Sequence, residues 1–195
     1  MSNLKLNQNV RGAACWEDGG KIVVAKNTLT HKAGDIIANA LSRNGPYQIS
    51  HLYLRFNGPL TLSALARSDL RDVAREDFLA VATISGGFYV PLLTAPAVSS
   101  SNTDLYTGNK LTYYFRIPSG VNAADNGLTN AAGFNINTSR ISAMGLAVAK
   151  VASDRSQDII FSAIQGAASG GSFNMFQLVD NGQKAIDYPV TISFT

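Results

Sequence analysis

Few residues in this chain are of a type and spacing to do chemistry. His31, His51 and the single cysteine, Cys15, are the natural candidates for a metal site or an activated nucleophile. They fall on three different predicted elements, without the close paired spacing that makes a zinc site readable. A lone cysteine also rules out a disulfide within the chain. Asp69 with Asp72, and Glu76 with Asp77, are the carboxylate pairs that acid–base work would recruit. Arginines flank both pairs, and no apolar setting is there to lift one carboxyl above the other. The run Gly166-Ala167-Ala168-Ser169-Gly170-Gly171 resembles a phosphate loop only in the smallness of its residues, since no lysine follows it. No Gly-x-Ser-x-Gly elbow occurs. These residues predict no enzyme, no cofactor and no bound metal.

The elements that must position these groups read mostly as strands. Val190, Ile192 and Phe194 alternate with Thr191, Ser193 and Thr195, the two-residue period of a strand with one buried face. Residues 141–149 place Met144, Leu146 and Val148 on one face, opposite the small Ala143, Gly145 and Ala147. Residues 158–165 put Ile159, Phe161 and Ala163 together. Asp180-Asn181-Gly182 suits a tight turn before the last strand. Upstream, residues 10–16 and 21–26 predict a hairpin around Glu17-Asp18-Gly19-Gly20, with Trp16 as a core anchor. Further strands are expected over 47–56 (Leu52, Leu54 and Phe56 on one face) and over 110–117 (Leu111, Tyr113 and Phe115 opposite Tyr114). A strand pair is expected over 78–84 and 88–94, with Pro91 marking an edge or a bend.

One helix is predicted over residues 30–43. Ala33, Ile36, Ile37, Ala40 and Leu41 carry its apolar stripe, Thr30 can cap it, and Asn44-Gly45-Pro46 stops it. The expected fold is therefore mainly β: an antiparallel β-sandwich or jelly-roll-like body with one short amphipathic helix packed on a sheet. A single domain over 1–195 is expected, with an N-terminal arm at 1–9 and a long loop at 118–133.

Composition narrows the partners. Of the 195 residues 46% are hydrophobic, enough for a real core, while 15% are charged, against about 25% in ordinary soluble chains. The net charge of +3 comes without a block of like charges, which argues against nucleic acid as a partner. No apolar run is long enough to span a membrane. Residues 1–7 carry no apolar segment of a secretory signal, so synthesis in a reducing cytoplasm is expected. The main concentration of charge holds Arg67, Arg71 and Arg75 with Asp69, Asp72, Glu76 and Asp77. It reads either as a solvated loop or short helix with weak ion pairs, or as a patch on which neighbouring subunits set their register.

The order of short motifs resembles a group of bacteriophage virion proteins from tail, baseplate or capsid-surface positions. The matching residues are Asn27-Thr28-Leu29-Thr30-His31-Lys32-Ala33-Gly34-Asp35, Ile49-Ser50-His51-Leu52-Tyr53-Leu54, Ile141-Ser142-Ala143-Met144-Gly145-Leu146, and the closing strand from Pro189 to Thr195. Arg55-Phe56-Asn57-Gly58 departs from the small Gly-x-Gly that such proteins often carry after the second motif. The resemblance implies a non-enzymatic virion structural protein, made in the host cytoplasm and assembled as a homo-oligomer with other capsid or tail proteins. It implies no catalytic residue. Candidate contacts are Leu4 and Leu6 in the arm, Arg67, Asp69, Arg71, Asp72, Arg75, Glu76 and Asp77 in the charged segment, and Asp125 and Asn126 in the long loop. The alternative is a module that binds a glycan or receptor on the host surface, for which Tyr106, Tyr113, Tyr114 and Phe134 are the stacking candidates.

Overall fold

The computed structural model describes residues 8–18, 20–42, 47–56, 60, 69–79, 88–93, 97–99, 109–117, 140–166, 168–169, 172–173, 176–177 and 184–194. The strands, in chain order, are β1 (Gln8–Asp18), β2 (Lys21–Lys26), β3 (Thr28–Leu29), β4 (Gln48–Phe56), β5 (Phe88–Pro91), β6 (Ala97–Ser99), β7 (Asn109–Ile117), β8 (Arg140–Ala149), β9 (Ile159–Gln165), β10 (Ala168–Ser169), β11 (Ser172–Phe173), β12 (Phe176–Gln177) and β13 (Lys184–Phe194). Helix α1 is Ala33–Leu41 and α2 is Arg75–Leu79. Two antiparallel sheets make up the body, beside a separate two-stranded ladder of β10 and β11. Sheet A runs β2-β1-β13-β7-β6 and sheet B runs β3-β9-β8-β4-β5, with β12 also pairing β8. The sandwich expected from the alternation of apolar residues is the fold.

The inner faces meet where the sequence alternates large apolar residues. Ala14, Trp16, Tyr113, Phe115, Ile186, Tyr188 and Val190 of sheet A pack on Leu52, Leu54, Met144, Leu146, Val148 and Phe161 of sheet B. Helix α1 adds Ala33 and Ile36 to the same core. A polar bond crosses it: the Ser162 and Tyr188 hydroxyls are 2.9 Å apart and buried. Burial pushes the Tyr188 phenol up to about 12, so it stays neutral and free to share its proton.

The sheets are stitched at two corners where the chain changes sheet. At the first, Asn27 N–H donates to the Gly12 carbonyl (3.0 Å), continuing the β1–β2 ladder. The Gly12 N–H, however, bonds the Asn27 side-chain Oδ1 (3.0 Å) instead of a backbone carbonyl. The amide side chain thus stands in for the next rung and frees the backbone to turn into β3. A Cβ on Gly12 would sit 2.5 Å from the Asn27 Nδ2, so this close approach needs glycine. At the second corner, Pro91 ends β5, the Leu92 N–H donates to Ser50 O (2.8 Å) and the Leu93 N–H to Tyr114 O (2.9 Å). One residue step there links sheet B to sheet A.

Four expectations are corrected. β1 begins at Gln8, so residues 8 and 9 of the expected arm are strand and pair with Phe194 and Ser193. Thr30 does not cap α1 through its side chain. Its hydroxyl donates to the carbonyls of Ile160 (2.6 Å) and Phe161 (3.3 Å), and the helix starts at Ala33 with no side-chain cap. Phe78 is not on a strand but on α2, a short helix that begins in the charged segment, where a loop or short helix is expected, and takes in the start of the expected strand. Ala163 does not share a face with Ile159 and Phe161. Leu146 pairs Ser162 and Ala147 pairs Ile160, so Phe161 is the extra residue of a bulge, and the alternation slips by one after it.

Candidate functional site

Three places gather the residues that matter: the charged segment on the outer face of sheet B, a histidine–arginine cluster beside it, and the outer face and rim of sheet A.

The charged segment is a cover. The small stripe Ala143 and Ala147, with Ile160, Ala163 and Tyr53, forms a second apolar surface on the outside of sheet B. Leu60, Val73 and Phe78 bury against it, with Leu70 and Tyr89 partly buried at its margin. Phe78 is fully buried. Its ring occupies the volume that a Gly145 side chain would need, since a Cβ there would lie 2.7 Å from Cε2 and closer still to Cζ. Full burial of such a ring stabilises by about 1.5–3 kcal/mol. The charges sit around this apolar underside. Asp69 caps the 3-10 turn Leu70–Asp72 by accepting from the Arg71 N–H (2.9 Å), and its other oxygen takes the Arg71 guanidinium. Asp77 accepts from the Ala74 N–H (2.7 Å), half of a capping box at the start of α2.

Asp77 and Arg55 are buried on this face. Burial depresses the Arg55 pKa, and the Asp77 carboxylate pushes it back up. Asp77 is thus withdrawn from the expected contact patch: it is an internal capping and counter-charge. Asp69, Arg71, Asp72 and Glu76 remain at least partly accessible, and Arg75 pairs with Glu76 at 2.8 Å. Leu4, Leu6, Arg67, Asp125 and Asn126 lie outside the described residues, as do Tyr106 and Phe134. A cleft of about 260 Å³ runs between this segment and the start of α1, with His31, Arg71, Asp72, Arg75 and Asp158 on its walls. Within it His31 Nε2 faces Asp72 at 3.6 Å, Arg71 holds Asp69 and Arg75 holds Glu76, and Lys32 also lines the wall.

The second cluster was not foreseen from the sequence. Ile49 pairs Val148 and His51 pairs Ala147, so Ser50 is a bulge residue on β4. The bulge brings Ser50 and His51 to Arg155, in the β8–β9 connection. Arg155 Nη1 donates to His51 Nδ1 (2.6 Å) and to Asp158 Oδ2 (3.2 Å), while Nη2 donates to the carbonyls of Val151 (2.9 Å) and Ala152 (2.7 Å). Tyr53 O–H donates to Asp158 Oδ2 (2.8 Å).

A guanidinium can only donate, so His51 Nδ1 must be the acceptor and its ring proton lies on Nε2. Burial, and then the Arg155 charge, lower the His51 pKa to about 4. Ser50 Oγ lies 2.7 Å from that same nitrogen. The pair superficially resembles a serine activated by histidine. Yet the basic nitrogen is already engaged by a cation and weakened as a base, the reverse of what nucleophile activation needs. Asp158 is buried beneath, with its pKa raised by that burial against the pull of Tyr53 and Arg155. The arrangement clamps residues 150–158 onto sheet B. The signal for it in the sequence is the Asp154-Arg155-Ser156-Gln157-Asp158 run, where Asp154 caps a 3-10 turn through Ser156 N–H (2.9 Å) and Gln157 Nε2 (2.8 Å).

The outer face of sheet A is different. Register places Val24, Cys15, Asp187 and Tyr114 in one row across β2, β1, β13 and β7. Cys15 and Tyr114 are half-buried and Asp187 is exposed, whereas Tyr113 belongs to the core. At the rim, Ile22 is 78% and Val24 60% exposed. Among the described residues, no three His, Cys, Asp or Glu side chains gather as a metal site would need, and no helix is long and apolar enough to cross a membrane. The segments 27–35, 49–54, 141–146 and 189–194 fall on β3 and α1, β4, β8 and β13, which are elements that build the sheets and core. No model of a known protein family, no curated protein and no solved structure matches the chain.

Proposed function

We propose that the chain is a non-enzymatic structural subunit of a bacteriophage virion that assembles with copies of itself on the capsid or at the tail. The observation that carries the self-assembly is the pair Ile22 and Val24, large apolar side chains 78% and 60% exposed together on a sheet rim. Leaving two such neighbours in water forgoes about 1.5–3 kcal/mol each, which association with another surface recovers. The polar clusters support the same reading. The Arg155 clamp and the charged cover hold the fold, and their geometry does not favour turnover. The virion setting rests on the order of motifs, from Asn27 through Ile49 and Ile141 to the last strand. Binding to a host-surface glycan has less support, because Tyr113 is spent in the core.

Absolute mass in solution across a concentration series tests the reading, together with co-sedimentation with virus particles. A discrete symmetric oligomer, or recovery with particles, is the expected result. A chain that stays monomeric throughout and never sediments with particles would overturn it.

A further inference from the structure

We infer that β2 is a self-pairing edge: two copies join antiparallel along Lys21–Lys26 about a two-fold axis, so that their A sheets run on as one. This rests on the self-assembly reading above and names the surface and the register.

Sheets A and B have four edge strands, and among the described residues β2 is the one open in the way pairing needs. β3 is two residues long and leads into α1, and β6 has three residues. β5 has four, ends in Pro91, and passes at once into the corner that bonds sheet A. Shortness, proline and covering are the ordinary means of blunting an edge. Among the described residues β2 uses none of these three, and its charged residues, Lys21 and Lys26, stand only at its two ends. It has six residues, no proline, and an unbroken register with β1 from Asp18↔Lys21 to Ala13↔Lys26.

The hydrogen-bond phase is set by the hairpin. Alternate pairs in an antiparallel ladder exchange both bonds, starting from the pair that closes a two-residue turn, here Asp18 and Lys21. The Asn27 N–H to Gly12 O bond falls on the same phase. Ile22, Val24 and Lys26 therefore turn their N–H and C=O groups away from β1, to the open edge. The residues with outward backbone groups include the two with exposed apolar side chains.

These features are self-complementary in one register. With Val23 opposite its own copy on the axis, Ile22 of each chain faces Val24 of the other. Both of those pairs then exchange hydrogen bonds, as their outward groups require. The two apolar side chains cover each other on the outer face, giving a row Tyr114-Asp187-Cys15-Val24 that continues into Ile22 and Glu17 of the second copy. The same pairing carries the exposed Lys26 end of each copy alongside the hairpin end of the other, where Glu17 is exposed. A shift of two residues in either direction puts Ile22 or Val24 against itself and leaves the other opposite a lysine or beyond the strand end.

An edge of six residues is small for an interface, so the experiment must register weak pairing. Val23 on the axis is a non-hydrogen-bonded pair, with Cα atoms about 4.5 Å apart, within disulfide reach. In a Cys15→Ser background, Val23→Cys is expected to give a covalent dimer under mild oxidation. Leu93→Cys, at an exposed site away from β2, is expected to stay uncrosslinked. Adding Val24→Pro removes an N–H that serves the open edge and no β1–β2 bond, so the dimer is lost while circular dichroism stays native. Crosslinking of Val23→Cys no greater than that of Leu93→Cys overturns the proposal. If the parent chain is oligomeric and Val24→Pro leaves its mass unchanged, the edge is wrong and self-assembly stands. A parent that is monomeric, does not sediment with particles and fails to crosslink removes both.

Discussion

The two outer faces of the sandwich meet water by opposite means. On sheet B, the chain folds its own segment back and seats Phe78 over Gly145, so that the small stripe becomes a second core. On sheet A, the described residues leave the row Val24-Cys15-Asp187-Tyr114 and the rim residue Ile22 without such a lid. The lesson is that a strand's outer face cannot be judged by its apolar content alone. Gly145 and its alanine neighbours look featureless and are fully enclosed, whereas Ile22 and Val24 look like core and are largely exposed.

The strongest way to break this contrast is to remove the lid's anchor. Phe78→Ala is expected to lower stability by about 3–5 kcal/mol, read from the urea midpoint. Filling the socket from the other side comes next. Gly145→Ala places a methyl group inside the Phe78 ring and is expected to cost about 1–3 kcal/mol. In the Phe78→Ala background the same change is expected to cost far less, because the ring it collides with is gone. Additive losses in that double-mutant cycle would mean that Phe78 does not sit on Gly145.

The clamp beside this lid gives a pH dependence. His51 is held well below its ordinary pKa of 6.5, at about 4. The unfolded chain therefore binds more protons between those values, and stability falls as pH drops from about 6.5 to 4. The ring is partly exposed, so solvent screening reduces the loss to about 1–2 kcal/mol. Asp158, whose pKa is raised by burial, works against it in the acid part of that window. His51→Asn keeps an acceptor for Arg155 but cannot titrate, and is expected to flatten the urea-midpoint profile between pH 6.5 and 4. An unchanged slope would place the pH dependence elsewhere.

The smallest expected effect is on sheet A. Ile22→Thr and Val24→Thr are expected to change the stability of a single copy by less than about 0.5 kcal/mol, as thermal melts of dilute protein would record. A loss of several kcal/mol from either would show that the rim is covered within one chain and would erase the contrast.

The sheets themselves were legible because their apolar residues recur at a period of two. Tyr113 and Phe115 against Tyr114, and Met144, Leu146 and Val148 against a small stripe, give the inner faces directly. The lid was not. Leu70, Val73 and Phe78 are interleaved with Asp69, Arg71, Asp72, Arg75, Glu76 and Asp77, and the charges dominate any reading of that stretch. Its partner, Gly145, lies far along the chain, and a stripe of small residues does not announce which ring will fill it. The Arg155 clamp was hidden for a related reason. It depends on a bulge at Ser50, and a bulge is set by register across β4 and β8 rather than by either strand alone. The bulge at Phe161 likewise moved Ala163 to the other face.

The place of β13 in sheet A has a consequence for how the chain is made. Five of sheet B's six strands, β3, β4, β5, β8 and β9, are complete once residue 165 has been synthesised, and only the two-residue β12 is still to come. Sheet A at that moment exists only as two separate pieces, β1 with β2 and β6 with β7, because the strand that joins them has not yet appeared. β13 must slide between β1 and β7, pairing Gln8 with Phe194 on one side and Ile117 with Lys184 on the other. Such long-range closure belongs to the slow class of folding, milliseconds to seconds. Until it happens both pieces expose strand edges at once, and a nascent chain among many copies of itself is then most open to joining the wrong neighbour.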